Sequence, residues 1–181
     1  MKTMLIRRPT VEDVIELETF FRTVITDTFQ REGIGDLVED MEDEMKAKIN
    51  YLNRDIRSHG KDRYFLLAMN NKKIIGTIEY GPASELINSC TDHALKELME
   101  VGTIFVHPNY QRQGVGNRLL KEMYITLKNK GIGEFCLDSG YQQAQTIWKK
   151  KFGEPDYVIK DYWGDGFHHM IWRINVHDYL P

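Results

Sequence analysis

The sequence predicts a mixed α/β (α+β) fold with a central, mostly antiparallel twisted sheet flanked by helices. Three observations point there. Apolar spacing switches repeatedly between helical and extended periods along the chain. Two of the extended runs are joined by Asn70-Asn71-Lys72, a short turn with two residues that tolerate left-handed backbone. Strands and helices alternate instead of segregating into halves.

The elements follow in order. Met4–Arg8 reads as a strand stopped by Pro9. Thr10 and Asp13 have the spacing of a capping box. Val14, Leu17, Phe21 and Ile25 then recur at helical intervals to about Phe29. Gly33 and Gly35 break the chain, and a second helix is expected from Asp36 to Ser58 along the stripe Met41, Met45, Ile49, Leu52 and Ile56. Arg63–Met69 and Lys73–Tyr80 form the hairpin. Ser84–Ala94 is polar and weakly patterned, so it is expected to be loop. Leu98–Val106 is a long strand ended by His107-Pro108-Asn109-Tyr110. Gly114–Lys130 is helical, Phe135–Asp138 a strand, Gln142–Lys151 a helix, and Asp156–Ile159 and His169–Val176 are strands.

Composition narrows the function classes. The chain has 181 residues, the size of one domain, and 41% are apolar, enough for a core. Residues 1–181 are expected to form a single domain. Lys and Arg number 24 against 27 Asp and Glu, a formal charge of −3, which supplies no basic excess for nucleic acid or anionic lipid. Cys90 and Cys136 are too few for a disulfide framework. No apolar run has the length of a membrane span. The N-terminal apolar stretch is shorter than a signal-peptide core, and no lipidation box ends the chain. A cytoplasmic location is expected, with no nucleic-acid or membrane partner.

The chemistry concentrates in Ile104-Phe105-Val106-His107-Pro108-Asn109-Tyr110-Gln111-Arg112-Gln113-Gly114-Val115-Gly116-Asn117. It is a strand, a turn, a glycine loop and a helix start. Glycines let backbone approach a ligand closely. The first amides of the helix lack internal partners, and the helix dipole favours an anion there. Together these make a pyrophosphate cradle, with Arg112 as an added cation. No Walker sequence exists. A dinucleotide fingerprint would need a third glycine where Leu119 stands.

Gln111-x-x-Gly114-x-Gly116 resembles the acyl-coenzyme A loop of the GNAT superfamily of N-acetyltransferases. Val106-x-Pro108-x-Tyr110 before it, Leu119-Leu120 after it, and the element order over nearly the whole chain extend the resemblance. It implies a sheet whose fourth and fifth strands splay apart. Acetyl-CoA would be the acyl donor. Backbone groups of Ile104, Phe105 and Val106 would bind the pantetheine. Amides of Gln111, Arg112, Gln113, Gly114, Val115, Gly116 and Asn117 would take the pyrophosphate. No metal is implied. His168-His169, adjacent on a strand, would point to opposite faces.

An amine must lose a proton to attack a thioester. Some family members use a glutamate eleven positions before the loop's Gln/Arg. That position is Glu100, in a mostly uncharged strand. Strand alternation would set it on one face with Gly102, Ile104 and Val106. Partial burial there would raise its pKa toward neutral. The plain alternative is an exposed strand-end glutamate, and Glu79 is a second candidate base. The family's usual acid is a tyrosine in the next helix, but Trp148 stands there, and an indole N–H is not a useful acid. Tyr141, Ser139 or water remain as proton donors, and Trp148 is expected to pack beside the coenzyme.

The acidic run from Asp36 to Glu44 is either a solvated helix face or an attraction for a cationic acceptor. Lys149, Lys150 and Lys151 either reach a coenzyme phosphate or sit in solvent. Tyr157, Tyr162, Trp163 and Phe167 either line an acceptor pocket or pack together. The expected function is direct acetyl transfer to the primary amine of a small molecule or peptide, with a homodimer left open. The rival reading is a non-catalytic acyl-CoA binding module.

Overall fold

The computed structural model describes residues 3–180. Its strands are β1 (Leu5–Arg7), β2 (Tyr64–Asn70), β3 (Lys73–Pro82), β4 (Met99–Val106), β5 (Glu134–Ser139), β6 (Tyr157–Ile159) and β7 (His169–Asn175). Its helices are α1 (Val14–Arg31), α2 (Val38–Ser58), α3 (Glu85–Cys90), α4 (Val115–Asn129) and α5 (Gln142–Phe152). The strand order is β1-β2-β3-β4-β5-β7-β6. β4 and β5 run parallel, while β1–β2, β2–β3, β5–β7 and β6–β7 are antiparallel. The mixed fold and mostly antiparallel sheet expected from the sequence are therefore present.

Two compact units divide the chain. One comprises the residues up to Tyr80 together with Thr103–Thr126, and the other Gly81–Gly102 with the residues from Leu127 on.

In the first unit, α1 starts where Asp13 accepts the Thr10 amide at 2.7 Å. Leu17, Phe20, Phe21, Val24, Ile25 and Phe29 then bury one face of the helix. Phe21 meets Phe65 of β2 at 6.4 Å between ring centroids. α2 is anchored through Asp55, which accepts from Arg8 Nη2 at 2.8 Å, and His59 ends it in the left-handed conformation. The β2–β3 turn has Asn71 at φ 50° and Lys72 at φ 65°, the geometry that a tight hairpin requires. Leu67, Ile78, Leu119 and Met123 are fully buried.

In the second unit, Ile87, Leu95, Cys136 and Ile171 form a core under Leu98, Tyr157 and Ile159. The structure corrects one expectation here: Ser84–Ala94 is not all loop. Ser84 accepts the Ile87 amide at 3.3 Å and caps the six-residue helix α3. Its single buried residue, Ile87, leaves no periodic stripe for a sequence pattern to register. Among the described residues, no helix is long and apolar enough to cross a membrane.

Candidate active site

The first unit carries the outer half of β4, the glycine loop and α4 as far as Thr126. Thr103 opens this stretch with φ 47°, a left-handed backbone that a β-branched residue rarely adopts. The alternation counted from Glu100 therefore does not carry through to Ile104. The Thr103 carbonyl accepts from Thr77 Oγ1 at 2.8 Å, and its hydroxyl donates to Glu79 Oε1 at 3.2 Å. Glu79 Oε2 accepts from Arg63 Nη1 at 2.8 Å. The Arg63 guanidinium lies 3.6 Å from the centre of the Tyr51 ring on α2. Neither these three buried hydrogen bonds nor the Arg63–Tyr51 contact was readable from sequence. The one signal was a charged residue, Glu79, inside the apolar run Ile74–Tyr80.

Beyond Thr103, the His107 amide donates to the Ile75 carbonyl of β3 at 2.9 Å. The Phe105 carbonyl also faces β3, because a Cβ on Gly76 would lie 3.1 Å from it. Strand alternation turns the N–H and C=O groups of Ile104 and Val106 away from β3. The Val106 carbonyl accepts from Gln111 Nε2 at 3.3 Å, so Gln111 ties the loop to the strand. Pro108–Tyr110 forms a short 3-10 turn whose first amide, from Asn109, donates to His107 Nδ1 at 3.2 Å.

The loop has two left-handed residues, Arg112 at φ 60° and Gly114 at φ 84°. Backbone that mixes left- and right-handed residues turns successive amides toward one concavity, which suits an anion. A Cβ on Gly114 would meet nothing within 4 Å, and one on Gly116 only Val106 Cγ2 at 3.8 Å. The ground in front of the α4 N-terminus is thus open. Arg112, Gln113 and Asn117 are exposed, while the Val115 side chain is buried. Gly76 lets this helix end come close, since a Cβ there would sit 2.9 Å from both Val115 Cγ1 and Leu119 Cδ1. The residue set from Ile104 to Asn117 fits a phosphate-bearing ligand with an extended arm.

The second unit holds the other candidates. Glu100 is 8% exposed, lies opposite Cys136 in the parallel β4–β5 register, and accepts the Ser84 amide at 2.9 Å through Oε1. The start of α3 thus positions this carboxylate. Tyr141 is half-buried at the head of α5, and its amide donates to Ser139 Oγ at 3.1 Å. Trp148 is buried and stacks on Phe152 at 5.9 Å, and Phe152 in turn packs edge-on against Phe135. Burial, with the Glu100 and Asp138 charges behind it, pushes the Cys136 thiol up to about 12, so it is no nucleophile near neutral pH.

His169, set aside in sequence as one of two adjacent histidines, links two side chains here. Trp163 Nε1 donates to its Nδ1 at 3.1 Å, which leaves Nε2 to carry the proton and donate to Asp138 Oδ2 at 2.8 Å. Among the described residues, no group of three or more His, Cys, Asp or Glu side chains could hold a metal ion.

The family model described as Acetyltransferase (GNAT) family matches residues 23–153. The chain belongs to the GNAT acetyltransferase family. Solved structures share this GNAT fold. A GNAT-family protein from Desulfovibrio desulfuricans superposes with a TM-score of 0.73 at 16% identity, covering 96% of this chain and 99% of its own. The PaiA N-acetyltransferase from Thermoplasma acidophilum, solved in complex with coenzyme A, gives 0.67 at 22% identity, over 95% and 99%. A ribosomal-protein-alanine N-acetyltransferase from Brucella melitensis gives 0.67 at 17% identity, over 94% and 99%. No curated protein sequence matches the chain closely enough to count as a relative.

Proposed function

We propose that the chain is an N-acyltransferase of one GNAT domain that transfers an acetyl group from acetyl-CoA to a primary amine by direct attack, with both substrates bound at once. The observation that carries this reading is the run from Thr103 to Asn117. It combines a strand whose Ile104 and Val106 backbone groups turn away from β3 with a loop of left-handed Arg112 and Gly114 at a helix N-terminus. That geometry suits a pantetheine arm and a pyrophosphate, in that order. The coenzyme A bound in the PaiA structure supports the same ligand.

Glu100 is the general base. Its carboxylate is sheltered and held by the Ser84 amide through one oxygen. It takes the ammonium proton, directly or through water, so that the nitrogen lone pair can attack the thioester carbonyl. A backbone amide near Ile104 steadies the oxyanion that develops. The thiolate then leaves, and Tyr141 at the head of α5 is the proton donor assigned to it. Trp148 packs beside the coenzyme and transfers no proton. The acceptor is a small molecule or peptide carrying a free amine. Two free cysteines suit a cytoplasmic setting.

The test is thiol release from acetyl-CoA over a panel of amines, for the native protein and Glu100→Gln, across pH. Glu100→Gln should lower kcat about a hundredfold and lose the rise of rate with pH. An unchanged pH–rate profile would move the base role to another group. Tight coenzyme binding with no turnover on any amine would make the chain an acyl-CoA binding module.

A further inference from the structure

Thr103 adopts a left-handed conformation that is strained for a β-branched residue and persists only where its surroundings over-determine it. Its surroundings do so through two ties. Thr77 holds its carbonyl and Glu79 holds its hydroxyl. Glu79 is held in turn by Arg63, and Arg63 by the face of Tyr51. All of these polar side chains are buried: Arg63 is 3%, Thr77 0%, Glu79 1% and Thr103 4% exposed.

Packing alone does not call for such a chain. A buried ion pair gains little over apolar residues of the same volume, because desolvation offsets the attraction. Arg63 Nε is moreover left without a hydrogen-bond partner, so the pair retains an unrecovered desolvation cost. What the pair does achieve is direction. Both Glu79 oxygens are engaged, Oε1 by Thr103 and Oε2 by Arg63, which fixes the carboxylate plane and with it the Thr103 side chain. The next residues along β4 are Ile104 to Val106, whose backbone groups turn away from β3. A residue tied on both arms at Thr103 sets where that turn begins.

We infer that Glu79, backed by Arg63, is a positioning residue: through Thr103 it fixes the left-handed turn in β4 and so aims the Ile104 and Val106 backbone at the acyl donor. Glu79 is then a structural partner of the donor strand and not a proton acceptor. This rests on the acyl-CoA reading for its ligand but not for its geometry.

The test compares Thr103→Val, which keeps the shape and loses the donor, with Thr103→Ser, which keeps the donor, and with Glu79→Gln. Two readouts are taken: coenzyme A affinity by calorimetry, and amide hydrogen exchange at His107, whose N–H ties this end of β4 to the Ile75 carbonyl. Thr103→Val should weaken coenzyme A binding about tenfold, with KM for acetyl-CoA rising and KM for the amine holding. It should also speed exchange at His107. Thr103→Ser should recover most of both losses, and Glu79→Gln should fall with Thr103→Val. Native affinity and native exchange in a folded Thr103→Val overturn the inference. Should Thr103→Val fail to fold, Thr77→Val cuts the other tie and is judged by the same criteria. A native protein with no affinity for coenzyme A would overturn the acyl-CoA reading alone, and the exchange data would still decide whether Glu79 sets the strand.

Discussion

Arg63 and Glu79 form an ion pair at 2.8 Å with both side chains out of reach of solvent. Removing one partner of such a pair strands the other charge. Arg63→Met should destabilise the fold by about 3–5 kcal/mol in denaturant unfolding. The double variant Arg63→Met with Glu79→Leu should recover at least half of that loss, because no charge is left stranded. It should still bind coenzyme A poorly, since Thr103 has lost its anchor. Stability and binding would thus separate in one protein.

Gly76 lets the start of α4 approach β3. Gly76→Ala would press a methyl group to 2.9 Å from Val115 Cγ1 and Leu119 Cδ1 and to 3.1 Å from the Phe105 carbonyl. Overpacking of this kind costs about 1–3 kcal/mol. Melting temperature and coenzyme A affinity should fall together. Adding Val115→Ala, which removes one of the crowded methyls, should restore part of both.

Asp13 gives an acid-sensitive contact. Hydrogen bonds from Arg7, and then from the Thr10 amide, hold its carboxyl below the ordinary 3.8 in spite of partial burial. A depressed folded-state pKa contributes stability that is present above 3.8 and lost as pH falls through the folded value. Asp13→Asn should therefore cost about 1 kcal/mol near neutral pH, an amount kept small because Arg7 is partly exposed and screened. The gap between the two proteins should close in strongly acidic solution. Urea midpoints measured across the acid range check this.

The two cysteines should differ in reactivity. The Cys136 thiol is pushed up to about 12 by burial first and by Glu100 and Asp138 next, and Cys90 is raised mainly by burial while remaining half-buried. An aromatic disulfide reagent under mildly alkaline conditions should label Cys90 slowly and Cys136 only on unfolding. The raised thiol also predicts that stability falls at high pH, as the unfolded chain ionises above 9.0 before the folded one does.

The glycine loop was legible because its chemistry is local. Gln111, Gly114 and Gly116 sit within one turn, and the strand before and helix after them have clean periods. The hairpin was legible for the same reason, since Asn71 tolerates the φ that the turn imposes. Thr103 was not. Threonine favours extended backbone, and the partners that meet it in the left-handed form, Thr77 and Glu79, lie 26 and 24 residues away. The Asp138–His169–Trp163 chain was hidden likewise, because its donor and acceptor meet only after β5 and β7 pair. α3 was missed because a short helix held mainly by the Ser84 cap leaves almost no apolar pattern.

The most direct measurement is the appearance of N-acetylated amine by mass spectrometry alongside coenzyme A thiol, in one mixture of native protein, acetyl-CoA and an amine panel. Direct transfer predicts that at least one amine gains an acetyl group in equal amount to the thiol released, and that Glu100→Gln depresses both equally. Thiol release without acetylated amine, or coenzyme binding with neither product, would contradict it.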